Sequence, residues 1–458
     1  MSSSPQFVAL RTDFNKRYVA VVTDGSQKNG LEMSSEAEIV VNLKAKFTVE
    51  PSTTAGLVHI RSNYNNKYWC SESPSSGLIA AKGVEQVEDK SSWNCTLFRV
   101  QFYGQNVSFY HVGSNSDVQV STVNNQLLLD VNKTSTGNKE IFTPVDLASI
   151  VILPKRVTFK SFVNEGYLLG RMVEGYPYNE FSGDDDMEKA TNYEIFVTET
   201  GDIRVKSLLF GKYWRSTPWI WSDSDDTSAD NPDTLFEVFK VDDNVIALRN
   251  KGNKKFCKRL TTEGKVSCLN AGATSMEVNT RLIVKEPVIS RKVEVQFRVE
   301  DARIYNKRPL TAATVTVPNR TTAAHEVVEG VIFTKTHVST WSKSTSLTLG
   351  VKAEFKSGIP FIAEGKIEVG TEISDTIEFG QSTDFSKEVK TEYRVPVPPM
   401  TKVTITVLGA EATYDVPFSY IQTDLYATGD RVTTKLDDGI FKGVESYDFT
   451  YETIYEPL

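Results

Sequence analysis

The sequence predicts an all-β chain of three domains, two built on a threefold internal repeat and a third built from long alternating strands. Three observations carry that expectation. A short template of two strands around a polar turn recurs through the first 287 residues. The composition then changes: all four Cys and five of the six Trp precede residue 288, whereas the last 170 residues hold one Trp and 24 Thr. Finally, the run from Ser346 to Phe379 alternates apolar and polar residues with a period of two, the pattern of a strand with one covered face.

At roughly 100 to 200 residues per domain, 458 residues fit three domains. Two proline-marked connectors supply the cuts: PVDLASIVILP (Pro144–Pro154) and the KEPVISRK stretch around Pro287. The expected limits are therefore 1–150, 155–287 and 288–458.

The repeats are the segments beginning at Val8 (VALRTDFNKRYVAV), Val58 (VHIRSNYNNKYWCS), Val157 (VTFKSFVNEGYLLG), Ile203 (IRVKSLLFGKYWRS) and Ile246 (IALRNKGNKKFCKR). Each has two alternating apolar residues, a basic residue (Arg11, Arg61, Lys160, Lys206, Arg249), a polar turn and an aromatic (Tyr18, Tyr68, Tyr167, Tyr213, Phe256) that leads a second strand. A weaker sixth copy runs from Val107 to Val120. The aromatics recur after 50 residues (Tyr18 to Tyr68), 46 (Tyr167 to Tyr213) and 43 (Tyr213 to Phe256). Three such units per module, each leaving an apolar face that only its siblings can cover, predict a β-trefoil, twice over. An aromatic present in every copy is expected in the core. Function is expected where copies differ.

They differ at the next residue, which is Trp in one copy per trefoil, within NNKYW (Asn65–Trp69) and FGKYW (Phe210–Trp214); the latter is followed by Trp219 and Trp221. Aromatic rings cover the C–H face of a sugar while amide and ammonium groups bond its hydroxyls, so Asn65, Asn66, Lys67, Tyr68, Trp69, Lys212, Tyr213, Trp214, Trp219 and Trp221 are the candidate carbohydrate residues. Core packing is the other reading of Trp69 and Trp214, and the residues alone leave both open. Paired trefoils carrying NNKYW, with openings such as FVALR (Phe7–Arg11), resemble the amaranthin family of plant agglutinins across residues 1–287. The resemblance implies a lectin for N-acetylgalactosamine and the galactosyl-N-acetylgalactosamine disaccharide, with sites completed in a head-to-tail dimer and Asn66, Lys67, Tyr68 and Trp69 near the sugar.

In the last domain the apolar parity is Leu347, Leu349, Val351, Ala353, Phe355, Ile359, Phe361, Ala363, Ile367, Val369, Ile373, Ile377 and Phe379. The other parity carries Thr348, Lys352, Glu354, Lys356, Glu364, Lys366, Glu368 and Glu372. Gly358 and Pro360 are expected to turn the chain, with Ile359, Pro360, Phe361 and Ile362 as an apolar tip and an odd-numbered loop keeping both apolar sets on one face. Each arm reaches the roughly 9 to 11 residues that a tilted membrane strand needs. A long hairpin in a water-exposed sheet has the same pattern. Between its Ser/Thr-rich flanks and before VPVPP (Val395–Pro399), the hairpin resembles the aerolysin-type pore-forming module. That resemblance implies storage of the hairpin against its own sheet, oligomerisation, and closure of released hairpins into one barrel.

The remaining expectations are exclusions. Nucleic acid is a poor partner for a chain with 59 acidic and 51 basic residues, a net charge of −8. No GxSxG, GxxxxGK[ST], GxGxxG or HExxH motif points to catalysis, so no enzyme, metal or cofactor is expected. Acidic loops at Asp184–Asp186 and Asp223–Asp230 read as solvated rather than calcium-binding. Cys70, Cys95, Cys257 and Cys268 read as free thiols. MSSSPQFVAL lacks the features of a secretory signal, which predicts synthesis in the cytoplasm or nucleocytoplasm, with the membrane reached only as a pore. The function expected is a galactose/N-acetylgalactosamine-binding lectin, homodimeric or larger, that forms a membrane pore in plant defence or stress. The competing expectation is a non-lytic lectin whose last domain only oligomerises.

Overall fold

A computed structural model describes all residues except 1–6, 37, 132–139, 148, 229–230, 345–346, 348 and 372. The described residues form strands and short 3-10 turns without an α-helix. No helix among them is long and apolar enough to cross a membrane. Two compact units result, and their borders interleave along the chain: residues 1–291, 344–351 and 423–433 make the first, and 292–343, 352–422 and 434–458 the second.

Within the first unit two barrels close. Strands Phe7–Thr12, Phe47–Pro51, Leu57–Ser62, Phe98–Tyr103, Asn106–His111 and Phe142–Asp146 pair in that order, and the last returns to the first. Strands Arg156–Ser161, Tyr193–Val197, Ile203–Ser207, Phe236–Lys240, Val245–Asn250 and Leu282–Lys285 close a second ring in the same way. Three hairpins cap each ring, Tyr18–Val21 with Leu31–Ser34 being the first. Six barrel strands and three cap hairpins are a β-trefoil, and closure removes the exposed edges that an open sheet would present.

The repeated template has a direct physical meaning. In all five copies the basic residue sits directly across the ladder from the aromatic: Arg11 opposite Tyr18, Arg61 opposite Tyr68, Lys160 opposite Tyr167, Lys206 opposite Tyr213 and Arg249 opposite Phe256. Three of these cations lie 5.6–5.7 Å from the partner ring centroid, within cation–π range. The sixth copy keeps the bridge and changes the residues, placing Tyr110 opposite Asp117, which is why its sequence reads as weak. Four of the five template aromatics are buried and Tyr213 is half-buried.

Trp69 and Trp214 occupy matching positions in the two cores and are fully buried. Trp69 packs edge-on against Phe47, Phe98 and Phe109; Trp214 does the same with Tyr193 and Phe236 and lies tilted against Phe159. Both indole N–H groups lack an acceptor among the described residues. Of the two open readings of these rings, core packing is the one found. All four cysteines are free and buried.

Near the end of the second trefoil, the Arg291 guanidinium is buried between two carboxylates. It donates to Asp424 at 2.7 and 2.8 Å and to Glu286 at 2.9 and 3.0 Å. Arg156 reaches Asp430 at 3.0 Å and lies over the Tyr426 ring. These contacts tie residues 423–433 to the second trefoil. Leu347 belongs to the same unit: its side chain is buried in the cluster that contains Trp214, with Leu349 packed beside it.

The second unit is a twisted sheet whose order is Ile373–Glu378, Lys352–Ser357, Val288–Phe297, Thr401–Tyr426, Arg431–Pro457, His337–Ser342 and Ser382–Asp384. Arg303–Asn319 pairs along Thr401–Tyr426, and His325–Lys335 with Lys387–Val397 forms a separate two-stranded arm. At roughly 3.3 Å per residue the 26-residue strand is about 85 Å long, which makes the domain elongated. Its core gathers Trp341, Phe355, Tyr414, Phe418, Tyr420 and Phe441.

Replacing Trp69 or Trp214 by Ala is expected to cost about 3–5 kcal/mol in urea denaturation, the range for a buried aromatic. A loss below about 1 kcal/mol in both variants would show that the rings are not the centres of these cores.

Candidate functional site

The NNKYW string is explained largely by architecture. Asn65 donates to the Ala81 carbonyl at 2.9 Å and accepts from the Lys67 amide at 3.2 Å, so it fastens the turn. Asn66 takes a left-handed conformation (φ 57°) that Asn tolerates well, and its amide oxygen accepts from Arg61 at 3.0 Å. Tyr68 buries its ring and donates its hydroxyl to Glu50 at 2.7 Å; Glu50 also accepts from Arg61 and Gln86. Tyr68 thus buries its ring and keeps its hydroxyl in a polar, partly exposed cluster, whereas Trp69 is fully buried.

In the second trefoil the proposed residues separate. Trp214 is core, Lys212 pairs with Asp225, and Tyr213 packs edge-on against Phe196. Trp219 is buried with Tyr178 and Cys268. Trp221 alone lies on an accessible aromatic surface. Tyr176 stacks on it at 4.5 Å with an interplanar angle of 14°, and Tyr176 is 50% exposed. Arg215, opposite Trp221 in the ladder, holds Asp223 through two bonds of 2.6 and 3.1 Å and lies 5.6 Å from the Trp221 ring. A rigid two-ring platform beside a fixed ion pair can cover an apolar face and bond hydroxyls at its rim. Tyr176, Arg215 and Asp223 were not singled out by the repeats. The signal for Tyr176 is local: Glu174–Gly175, both at positive φ, form the tight hairpin turn that presents it.

The acidic loops are engaged by cations and turns. Asp186 accepts from Tyr167 and Lys285, and Asp226 caps Ser228. Asp230 lies outside the described residues. Among the described residues no group of three His, Cys, Asp or Glu is placed to hold a metal ion.

The hairpin of the second unit differs from expectation in three ways. Its turn is Glu364–Gly365, both at positive φ, not Gly358–Pro360. Pro360, Phe361 and Ile362 thus sit in an arm, paired with Val369, Glu368 and Ile367. The apolar tip is replaced by the polar dipeptide that a two-residue turn favours. Second, the loop is even-numbered. The ladder near the turn pairs Ile362 with Ile367, whereas the ladder beyond it pairs Ala353 with Ile377, so the register differs by one residue between them. With that change the buried parity of the first arm switches from Ala353 and Phe355 to Pro360 and Ile362. A Cβ on Gly358 would lie 2.4 Å from the Gly370 carbonyl oxygen, so the crossing needs glycine. Third, Leu347 and Leu349 belong to the trefoil unit, and Val351 precedes the ladder, so none of the three is paired in it. Thr348 and Glu372 lie outside the described residues.

The hairpin is held by its own sheet. Ala353, Phe355, Ile362, Ile367 and Ile377 join the core around Trp341 and Phe418, while Val369 is exposed. Two buried polar bonds add direction: the Tyr414 hydroxyl donates to the Pro360 carbonyl at 2.7 Å, and the Ile362 amide donates to Glu445 at 2.7 Å. Burial pushes the Tyr414 hydroxyl well above its usual titration range, so it stays a donor. Glu445 is also approached by His337 at 3.6 Å and Lys335 at 3.7 Å.

Two closed trefoils are thus followed by an elongated sheet that holds an amphipathic hairpin against itself. The chain belongs to the Agglutinin domain family, whose model matches residues 2–138 and 151–286. Over 175 residues it is 27% identical to Natterin-1 of Thalassophryne nattereri, covering 36% of this chain and 48% of that protein. The chain thus spans about half the length of the curated relatives it matches. Among solved structures, it is similar to the lamprey immune protein (TM-score 0.34, 13% identity, 67% of this chain and 100% of that one). It is also similar to the hemolytic lectin CEL-III (TM-score 0.33, 8% identity, 96% and 92%).

Tyr414→Phe and Glu445→Ala each remove one buried partner of the hairpin, worth about 1–3 kcal/mol. Amide hydrogen exchange of residues 360–369 is expected to quicken by about tenfold or more, with the trefoil amides unchanged. Unchanged exchange in both variants would mean that these bonds do not hold the hairpin.

Proposed function

We propose that this protein is a non-catalytic lectin that docks on galactose- or N-acetylgalactosamine-type glycans through its trefoils and forms an oligomeric β-barrel pore with its last domain, in plant defence or stress. The domain limits proposed are 1–150, 155–287 and 288–458. The protein is made in the cytoplasm or nucleocytoplasm and reaches the membrane as an oligomer, with the isolated chain or a homodimer as its stored form.

The observation that carries the reading is the hairpin from Lys352 to Glu378, whose Ala353, Phe355, Ile362, Ile367 and Ile377 are buried in its own sheet and whose other side is charged. On either side of the Glu364–Gly365 turn the sequence runs 352–363 and 366–378, long enough for a strand of roughly 9–11 residues to cross lipid. Glycan binding concentrates the protein on a surface, which favours assembly. For the sugar we favour the Tyr176–Trp221 platform in the second trefoil and the Glu50, Asn66, Lys67, Tyr68 cluster in the first; Trp69 and Trp214 act only as supports.

Dye release from vesicles bearing a galactosyl glycolipid tests both halves. Free galactoside and Tyr176→Ala are each expected to lower release at least about fivefold, as the loss of one aromatic contact would. A cysteine pair at Lys292 and Glu354, directly opposite each other and now joined by a 3.2 Å ion pair, should block release when oxidised and restore it when reduced. Glycan-dependent vesicle clustering without any release would replace this reading with a non-lytic lectin.

A further inference from the structure

Where the arm His325–Lys335/Lys387–Val397 meets the main sheet, the second unit has an open pocket of about 390 Å³. Its apolar walls are Ile359, Phe361 and Phe385; Lys335 and Lys387 line it, with His337 and Glu445. Lys335 and Lys387 are direct cross-strand partners. Like charges placed opposite each other in an antiparallel ladder repel, so this pair costs stability unless an anion lies between them. Glu445 does not fill that role for both: it is buried, accepts the Ile362 amide, and approaches Lys335 at 3.7 Å. Asp384, held below the usual carboxylate range by the Ser386 hydroxyl and amide, is turned toward the Ser386 amide at 2.8 Å.

We infer that this cavity binds an amphiphilic anion, with a phosphate or carboxylate head between Lys335 and Lys387 and a short apolar tail against Ile359, Phe361 and Phe385. The cation pair and the apolar walls each match one half of such a molecule, and the volume suits a chain of about eight carbons. The sign of its effect follows from the walls. Ile359 and Phe361 belong to the hairpin, so the cavity exists only while the hairpin is stored. A ligand that needs those walls binds the stored form alone and shifts the population toward it. The site stands whether or not the hairpin ever enters a membrane.

Octyl phosphate, titrated calorimetrically into the full chain below its micelle concentration, tests the inference. Saturable one-to-one binding is expected, with octyl glucoside and inorganic phosphate each at least about tenfold weaker and Lys387→Gln reducing affinity at least about tenfold. Lys366→Gln, on the hairpin outside the cavity, should leave affinity unchanged. Bound octyl phosphate should slow amide exchange of residues 359–369. Equal binding of octyl glucoside, or undiminished affinity in Lys387→Gln, would overturn the site. Phosphatidylcholine vesicles with and without phosphatidic acid distinguish the sources: depletion of octyl phosphate binding by the acidic vesicles alone identifies a membrane lipid, and its persistence identifies a free amphiphile. Dye release that is absent under every condition, with octyl phosphate still bound, would sink the pore reading and keep the site.

Discussion

Every strand that alternates makes one apolar face, and that face must be covered. In the trefoils the cover is internal. Three repeats turn their apolar sides inward, and the ring closes so that no edge is left. In the second unit the hairpin's apolar side is covered by Trp341, Phe418 and their neighbours, with Tyr414 and Glu445 bonding the backbone at two points. The two solutions differ in permanence. A closed barrel cannot give up a strand without breaking the ring. A hairpin at the edge of a sheet, paired with it along Val288–Phe297, is removable at the cost of its contacts.

Residues 344–351 and 423–433 lie far along the chain from the trefoils yet belong to their unit. Leu347 is buried beside Trp214, and Arg291 is clamped between Glu286 and Asp424. A buried ion triad of this kind tolerates the loss of neither partner, because the remaining charge would be stranded in a low-dielectric site. Leu347 and Leu349, which precede the first arm in sequence, thus pack with the second trefoil's core.

The trefoils were legible because their repeat is a physical contact. Arg61 and Tyr68, and each equivalent pair, face each other across a ladder, so their spacing must recur. The sixth copy escaped because its bridge joins Tyr110 and Asp117. The Trp residues were ambiguous for a different reason. Tyr68, Trp69, Cys70 and Ser71 are all buried, so strand alternation gives no inside and outside there. Tyr176 became visible only when folding stacked it on Trp221, far away in sequence. In the hairpin the period of two was correct, but the turn was placed at the glycine and proline of SGIP. The Glu364–Gly365 pair holds it instead, and Gly358 serves a close backbone crossing. The change of register beside that glycine is invisible to the period of two.

The central claim is that the stored apolar face becomes a lipid-facing one. An environment-sensitive fluorophore placed one residue at a time at positions 351–357 and 374–379, read on exposure to glycolipid vesicles, tests it directly. The expected result is a period of two: Val351, Ala353, Phe355, Ile377 and Phe379 report lipid, while Lys352, Glu354, Lys356, Thr376 and Glu378 report water. A uniform response of both parities, or none at either, would contradict the account.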